Sequence, residues 1–122
     1  MHEVSVIIPN FNGKKYLKDC LDALLTQDFS SYEIVVVDNG SKDGSVQYLR
    51  QNYPQVRLVA LAENTGFCGA VNVGIRTSQA KYILLLNNDT IVEKGFIQAL
   101  VQDINKSPDI FSCQAKMLQM HD

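Results

Sequence analysis

The residues of this sequence that can do chemistry lie in four short segments, each close behind an apolar run. Asp89 closes the turn Asn87-Asn88-Asp89, which follows Ile83-Leu84-Leu85-Leu86. A hard divalent cation, Mg2+ or Mn2+, takes oxygen ligands, and a carboxylate beside amide carbonyls supplies them. Held by one carboxylate, such an ion keeps positions open for diphosphate oxygens and stabilises charge on a departing nucleotide diphosphate. The same three residues also read as a turn into a helix starting near Gly95, with Asp89 or Thr90 as its N-cap.

Asp38 follows Ile34-Val35-Val36-Val37 directly. A carboxylate there can accept hydrogen bonds from the edge of a base or from ribose hydroxyls, or simply cap the turn Asn39-Gly40. Behind a third run comes Glu63-Asn64-Thr65-Gly66-Phe67-Cys68-Gly69, where 66–69 leads into a helix whose first N–H groups can face an anion. The fourth segment is Pro9-Asn10-Phe11-Asn12-Gly13, behind the first apolar run. No GxxxxGK[ST] occurs, and no GxGxxG follows the first run, so a P-loop NTPase and a dinucleotide oxidoreductase are both disfavoured. A nucleotidyltransferase would want a glycine-rich, cationic phosphate loop after that run, and a flavodoxin-like binder a Ser/Thr/Gly loop. Asn10-Phe11-Asn12-Gly13 matches neither.

The elements that position these segments alternate between strand and helix. Strands are expected at 4–8 (stopped by Pro9), 33–37, 56–61, 82–86 and 110–118. Helices are expected at 14–27, from Asp43 or Ser45 to 53, at 68–78 and at 95–105. Continuously apolar strands between helices indicate a parallel sheet covered on both faces, so the fold class is α/β, a three-layer α/β/α, Rossmann-like domain. The run 82–86 should then be sheathed by helices. Ligands of such sheets collect beyond the carboxyl ends of the strands, which places all four polar segments on one rim.

The 122 residues suit one domain. They are 46% hydrophobic and 20% charged, with a net charge of −2, and no cationic cluster suits a nucleic acid. Three cysteines without metal spacing read as reduced thiols. Cys20 and Cys113 fill apolar positions, while Cys68 falls in a glycine-rich turn. No signal peptide or membrane-spanning run is evident, which suits a cytoplasmic protein, working at most at the inner face of the membrane.

With those segments in view, the chain resembles the family 2 glycosyltransferases, inverting enzymes with a GT-A fold. Residues 4–12 look like that family's opening strand and turn, 33–45 like its nucleotide-binding strand and loop, and 82–89 like its metal-site strand. The resemblance implies a donor-binding domain over 1–122 that takes a UDP- or dTDP-linked sugar, with a divalent cation and a glycan or lipid-linked acceptor, in cell-surface polysaccharide synthesis. It implies that Pro9, Asn10 and Asn12 lie at the nucleotide, that Asp38 and Asn39 serve the base, and that Asn64, Gly66 and Asn72 lie near the donor. Asn88 would touch the sugar and diphosphate, and Asp89 would hold the metal. The chain departs from the family at Asn87, where the first acid of a DxD pattern is absent, and at Val71, where an arginine is common. The pairing of Asn64-Thr65-Gly66-Phe67 with Leu86-Asn87-Asn88-Asp89 is most similar to a rhamnosyltransferase branch.

An inverting transferase needs a general base near the anomeric carbon. In the family it lies well downstream of the metal motif, so it is expected beyond Asp122, and the chain reads as a truncated, inactive donor half. A sheet edge left open would favour a homodimer. The rival reading is a non-catalytic nucleotide-binding module on the same fold.

Overall fold

The computed structural model describes residues 2–106 and 118–119. Four strands, β1 (Val4–Asn10), β2 (Tyr32–Asp38), β3 (Arg57–Ala60) and β4 (Tyr82–Leu85), form an all-parallel sheet in the order β3-β2-β1-β4. Between them run α1 (Lys14–Leu24), α2 (Ser45–Asn52) and α3 (Gly66–Thr77). After β4 come β5 (Thr90–Ile91), α4 (Phe96–Asn105) and β6 (Leu118–Gln119), the last antiparallel to β5. The expected strand over 110–118 lies almost wholly outside the described residues.

The layers follow from side-chain periodicity. On one face Val4, Val6 and Ile8 of β1 and Ile34 and Val36 of β2 meet α1, α2 and α4. α1 contributes Leu17, Cys20, Leu21 and Leu24, the spacing of one helical stripe, and all four are fully buried. On the other face Ile7, Val35 and Val37 meet α3 through Ala70, with Val73 beside it. Gly74 sets that approach, since a Cβ there would stand 2.5 Å from Ile7 Cγ2 and 3.2 Å from Val37 Cγ2. Burying such side chains contributes about 1.5–3 kcal/mol each, enough to fix two helical layers around so small a sheet.

Several boundaries differ from expectation. β1 runs through Pro9 to Asn10 because the peptide groups of a parallel strand point alternately to its two neighbours. Asn10 O accepts from Asn39 N toward β2 (2.8 Å), and Ile7 O from Leu86 N toward β4 (3.0 Å). Pro9 therefore faces the β4 side, where the paired register has already ended at Leu85, and its missing N–H leaves no gap. α3 starts at Gly66, two residues early, so Cys68 is helical and exposed. α1 ends at Leu24, short of Gln27.

β4 is not sheathed. It is an edge strand, and Ile83 and Leu85, which share a sheet face with Ser5 and Ile7, are 37% and 45% exposed. No helix among the described residues is long and apolar enough to cross a membrane.

Candidate functional site

The carboxyl ends of β1, β2 and β4 are tied together by one buried side chain. Asn10 is 1% exposed. Its Nδ2 donates to Asp38 Oδ1 (2.9 Å), and its Oδ1 accepts from Asn88 Nδ2 (2.7 Å). Asp38, also 1% exposed, accepts at its other oxygen from the Ser41 amide (2.9 Å). Each carboxylate oxygen thus has one donor, and the Asn39-Gly40 turn is closed by Asp38 as an Asx-type cap. Gly40 takes φ +80°, and a Cβ there would meet the Glu63 backbone at 2.7 Å.

Gly13 makes the Asn10–Asn88 link possible. A Cβ on Gly13 would stand 2.1 Å from Asn88 Nδ2 and 2.6 Å from Asn10 Oδ1, so only glycine leaves room for the two amides to meet. Asn12, in the left-handed region at φ +52°, donates its amide to Ser41 Oγ (2.8 Å) and accepts from the Lys42 amide (2.8 Å). Asp43 then joins α1 to α2, accepting from the Lys14 amide (3.0 Å) and from Ser45 N and Oγ. Partial burial pushes the Asp43 carboxyl up, but those hydrogen bonds outweigh it and hold the group below the usual carboxylate range.

Asn39 organises the neighbouring loop. Its Oδ1 accepts from Thr65 N (2.8 Å) and Thr65 Oγ1 (3.0 Å), and its Nδ2 donates to Asn64 Oδ1 and Gly66 O, both 3.0 Å. Asn64 Oδ1 also receives the Gly66 amide at 2.7 Å. The 64–66 turn is thereby pinned to the end of β2. Between these loops lies a cavity of about 300 Å3 lined by Pro9, Asn10, Phe11, Asn39, Asn64, Gly66 and Phe67. Phe11 is 49% and Phe67 59% exposed, so both rings present apolar surface at this cavity.

Asn88 and Asp89 are half-buried at the end of β4. Thr90 Oγ1 closes the turn on Asn87 O (2.7 Å), while the Asp89 carboxylate makes no hydrogen bond among the described residues. The N-cap of α4 is Gly95, and the Ile97 amide is met by Gln27 Oε1 (3.0 Å), so neither Asp89 nor Thr90 caps that helix. Asp89 lies near enough to act on Cys20, whose thiol is pushed up to about 12 by burial first and by the Asp89 charge second. No group of three or more His, Cys, Asp or Glu able to hold a metal exists among the described residues. A single carboxylate without a hydrogen bond among the described residues fits an ion shared with phosphate oxygens rather than one caged by protein alone.

Of the residues singled out in the sequence, Pro9, Asn10, Asn39, Asn64 and Gly66 line one cavity, and Asn12, Asp38 and Asn88 join it through hydrogen bonds. Asn72 stands apart on the exposed face of α3, without a hydrogen bond to the cluster. Phe11, Gly13, Ser41 and Phe67 were not singled out. An aromatic between two asparagines in a strand-end turn was the available signal for Phe11, since a loop ring without core neighbours stays in water.

The family profile described as glycosyl transferase family 2 matches residues 5–119. The chain belongs to glycosyl transferase family 2. This family 2 chain is 34% identical over 122 residues to the uncharacterized glycosyltransferase YibD of Escherichia coli strain K12, covering 93% of the chain and 34% of that protein. It is 32% identical over 107 residues to glycosyltransferase GlyG of Streptococcus pneumoniae serotype 4, covering 84% of the chain and 35% of the relative. Among solved structures, S. aureus TarS 1–349 in complex with UDP superposes with a TM-score of 0.77 at 27% identity, over 87% of this chain and 32% of that one. The mannosyltransferase PcManGT of Pyrobaculum calidifontis, in complex with GDP-Man and Mn2+, superposes with a TM-score of 0.64 at 27% identity, over 73% of this chain and 28% of that one. The sheet and its flanking helices are those of a GT-A fold. The family 2 chain spans about a third of the length of these two relatives.

Proposed function

We propose that residues 1–122 form the donor-binding domain of a glycosyltransferase that uses a UDP- or dTDP-linked sugar. The observation that carries this reading is the Asn10 bridge. It holds the floor of an aromatic-lined cavity and the Asp89 turn on one rim, so a base and a diphosphate find partners in a single ligand. The base enters among Pro9, Phe11, Asn39 and Asn64. Asp38 and Asn12 fix the loops that shape this pocket, and Asn88, held by Asn10 through its Nδ2, meets the sugar or diphosphate with its remaining polar atoms. Asp89 is the residue that would hold Mg2+ or Mn2+ beside the diphosphate. When bound, that cation supplies charge neutralisation for the leaving nucleotide diphosphate.

Asn88 is oriented by Asn10 before any ligand arrives. The acceptor hydroxyl, on a glycan or lipid-linked sugar in polysaccharide synthesis, attacks the anomeric carbon with inversion. Its proton goes to a general base near the anomeric carbon. PcManGT with GDP-Man and Mn2+, and TarS with UDP, support the ligand class by similarity.

Amide chemical-shift mapping tests this reading. Titrating UDP, then dTDP, with Mg2+ present should move the resonances of 9–12, 39–41, 64–67 and 88–89 together. Shifts confined to other surfaces, or none at millimolar ligand, would remove it. Shifts identical with and without the cation would favour a non-catalytic nucleotide-binding module.

A further inference from the structure

Phe67 belongs by spacing to the face with which α3 meets the sheet. Residues 67, 70, 71 and 74 fall on one helical stripe, and Ala70, Val71 and Gly74 are buried. Phe67 is instead 59% exposed, more than any other large apolar side chain among the described residues. The reason is position. α3 begins at Gly66, so its first turn overhangs the carboxyl edge of the sheet, and Phe67 continues the sheet-facing stripe past the last strand residues.

That overhang is built before any ligand arrives. Asn39, 4% exposed, holds Asn64, Thr65 and Gly66 through four hydrogen bonds, and Asn64 Oδ1 takes the Gly66 amide as well. Gly66 adopts φ +83° with nothing within 4 Å of where a Cβ would stand, which keeps the mouth of the cavity open beside the ring. Phe11 lines the same cavity from the loop after β1. Two half-exposed rings, one on the loop after β1 and one on the first turn of α3, therefore face one space of about 300 Å3, of a size to take a single planar heterocycle.

We propose that Phe67 is a second aromatic wall of the base pocket, covering the face of the heterocycle that Phe11 leaves open. This rests on the nucleotide reading above and adds a residue that sets affinity for the base within it. Stacking a base on an aromatic side chain is worth about tenfold in affinity or more, and it acts only on ligands that carry a base. Preorganisation by Asn39 keeps the ordering cost of the ring low.

Calorimetric titration of UDP and of pyrophosphate, both with Mn2+, into the unmodified protein and the Phe67→Ala, Phe67→Tyr and Phe11→Ala variants tests the proposal. Phe67→Ala is expected to weaken UDP roughly tenfold and leave pyrophosphate unchanged, while Phe67→Tyr retains UDP. Unchanged UDP affinity in Phe67→Ala, with Phe11→Ala impaired, would overturn the second wall and leave the nucleotide reading standing. An equal loss of UDP and pyrophosphate would also overturn it, since the ring would then act only by placing α3. An unmodified protein that binds pyrophosphate as well as UDP would defeat the nucleotide reading itself.

Discussion

The Asn88 side-chain amide donates to Asn10 Oδ1 across 2.7 Å, joining the end of β4 to the end of β1 beneath the rim. Because Asn10 also donates to Asp38, three strand ends share one set of hydrogen bonds, and a change at any of them reaches the other two.

Gly13→Ala should break this arrangement without removing a polar group. Its Cβ would occupy the Asn88 Nδ2 position, so either Asn88 swings out or the start of α1 shifts. Overpacking of this kind costs about 1–3 kcal/mol, to be read from the urea midpoint at unchanged m-value. UDP affinity should fall in the same variant even where the fold persists.

Asn10→Ala removes the donor to a buried carboxylate. Leaving such a group short of a partner costs about 1–3 kcal/mol, and more when it is charged. The variant should therefore lose more stability than Asn12→Ala, whose side chain accepts a single exposed amide. Equal losses in chemical denaturation would contradict a central role for Asn10.

Asn39→Ala should loosen the 64–66 turn locally. Hydrogen exchange at the Thr65 amide should accelerate at least tenfold, while amides in the centre of β1 keep their protection. Uniform acceleration throughout the chain would instead point to global destabilisation.

Cys20 gives a pH signature. Its thiol is pushed from 9.0 up to about 12, so the folded state holds the proton more tightly than the unfolded chain does. The stability this supplies is complete below pH 9 and is lost as pH rises from 9 toward 12. Cys20→Ala should lower stability at neutral pH through the cavity it leaves, but flatten that alkaline decline. A thiol reagent at pH 8 should modify exposed Cys68 in the folded protein and leave Cys20 intact.

The strand and helix succession was legible because each element carries a strong period, such as Leu17, Cys20, Leu21 and Leu24 on α1. The convergence of Pro9, Asn10, Asn39, Asn64 and Gly66 on one rim was legible too, since a parallel sheet forces strand ends together. Partnerships were not. Nothing in the local sequence says that Asn88 reaches across 78 residues to Asn10, or that Gly13 clears its way. β4 was misjudged for a related reason. An apolar run reports what a strand can bury, while the cover over Ile83 and Leu85 depends on elements elsewhere in the fold. The capping role weighed for Asp89 failed because Gln27, 70 residues from Ile97, meets the start of α4.

Metal-dependent donor binding tests the central claim most directly. UDP should be titrated calorimetrically into the unmodified protein and Asp89→Asn, each with Mn2+ and with chelator. Mn2+ is expected to strengthen UDP binding at least tenfold in the unmodified protein, and Asp89→Asn to abolish this gain while retaining the weak, metal-free affinity of the base pocket. A Mn2+ enhancement that survives in Asp89→Asn would contradict the claim.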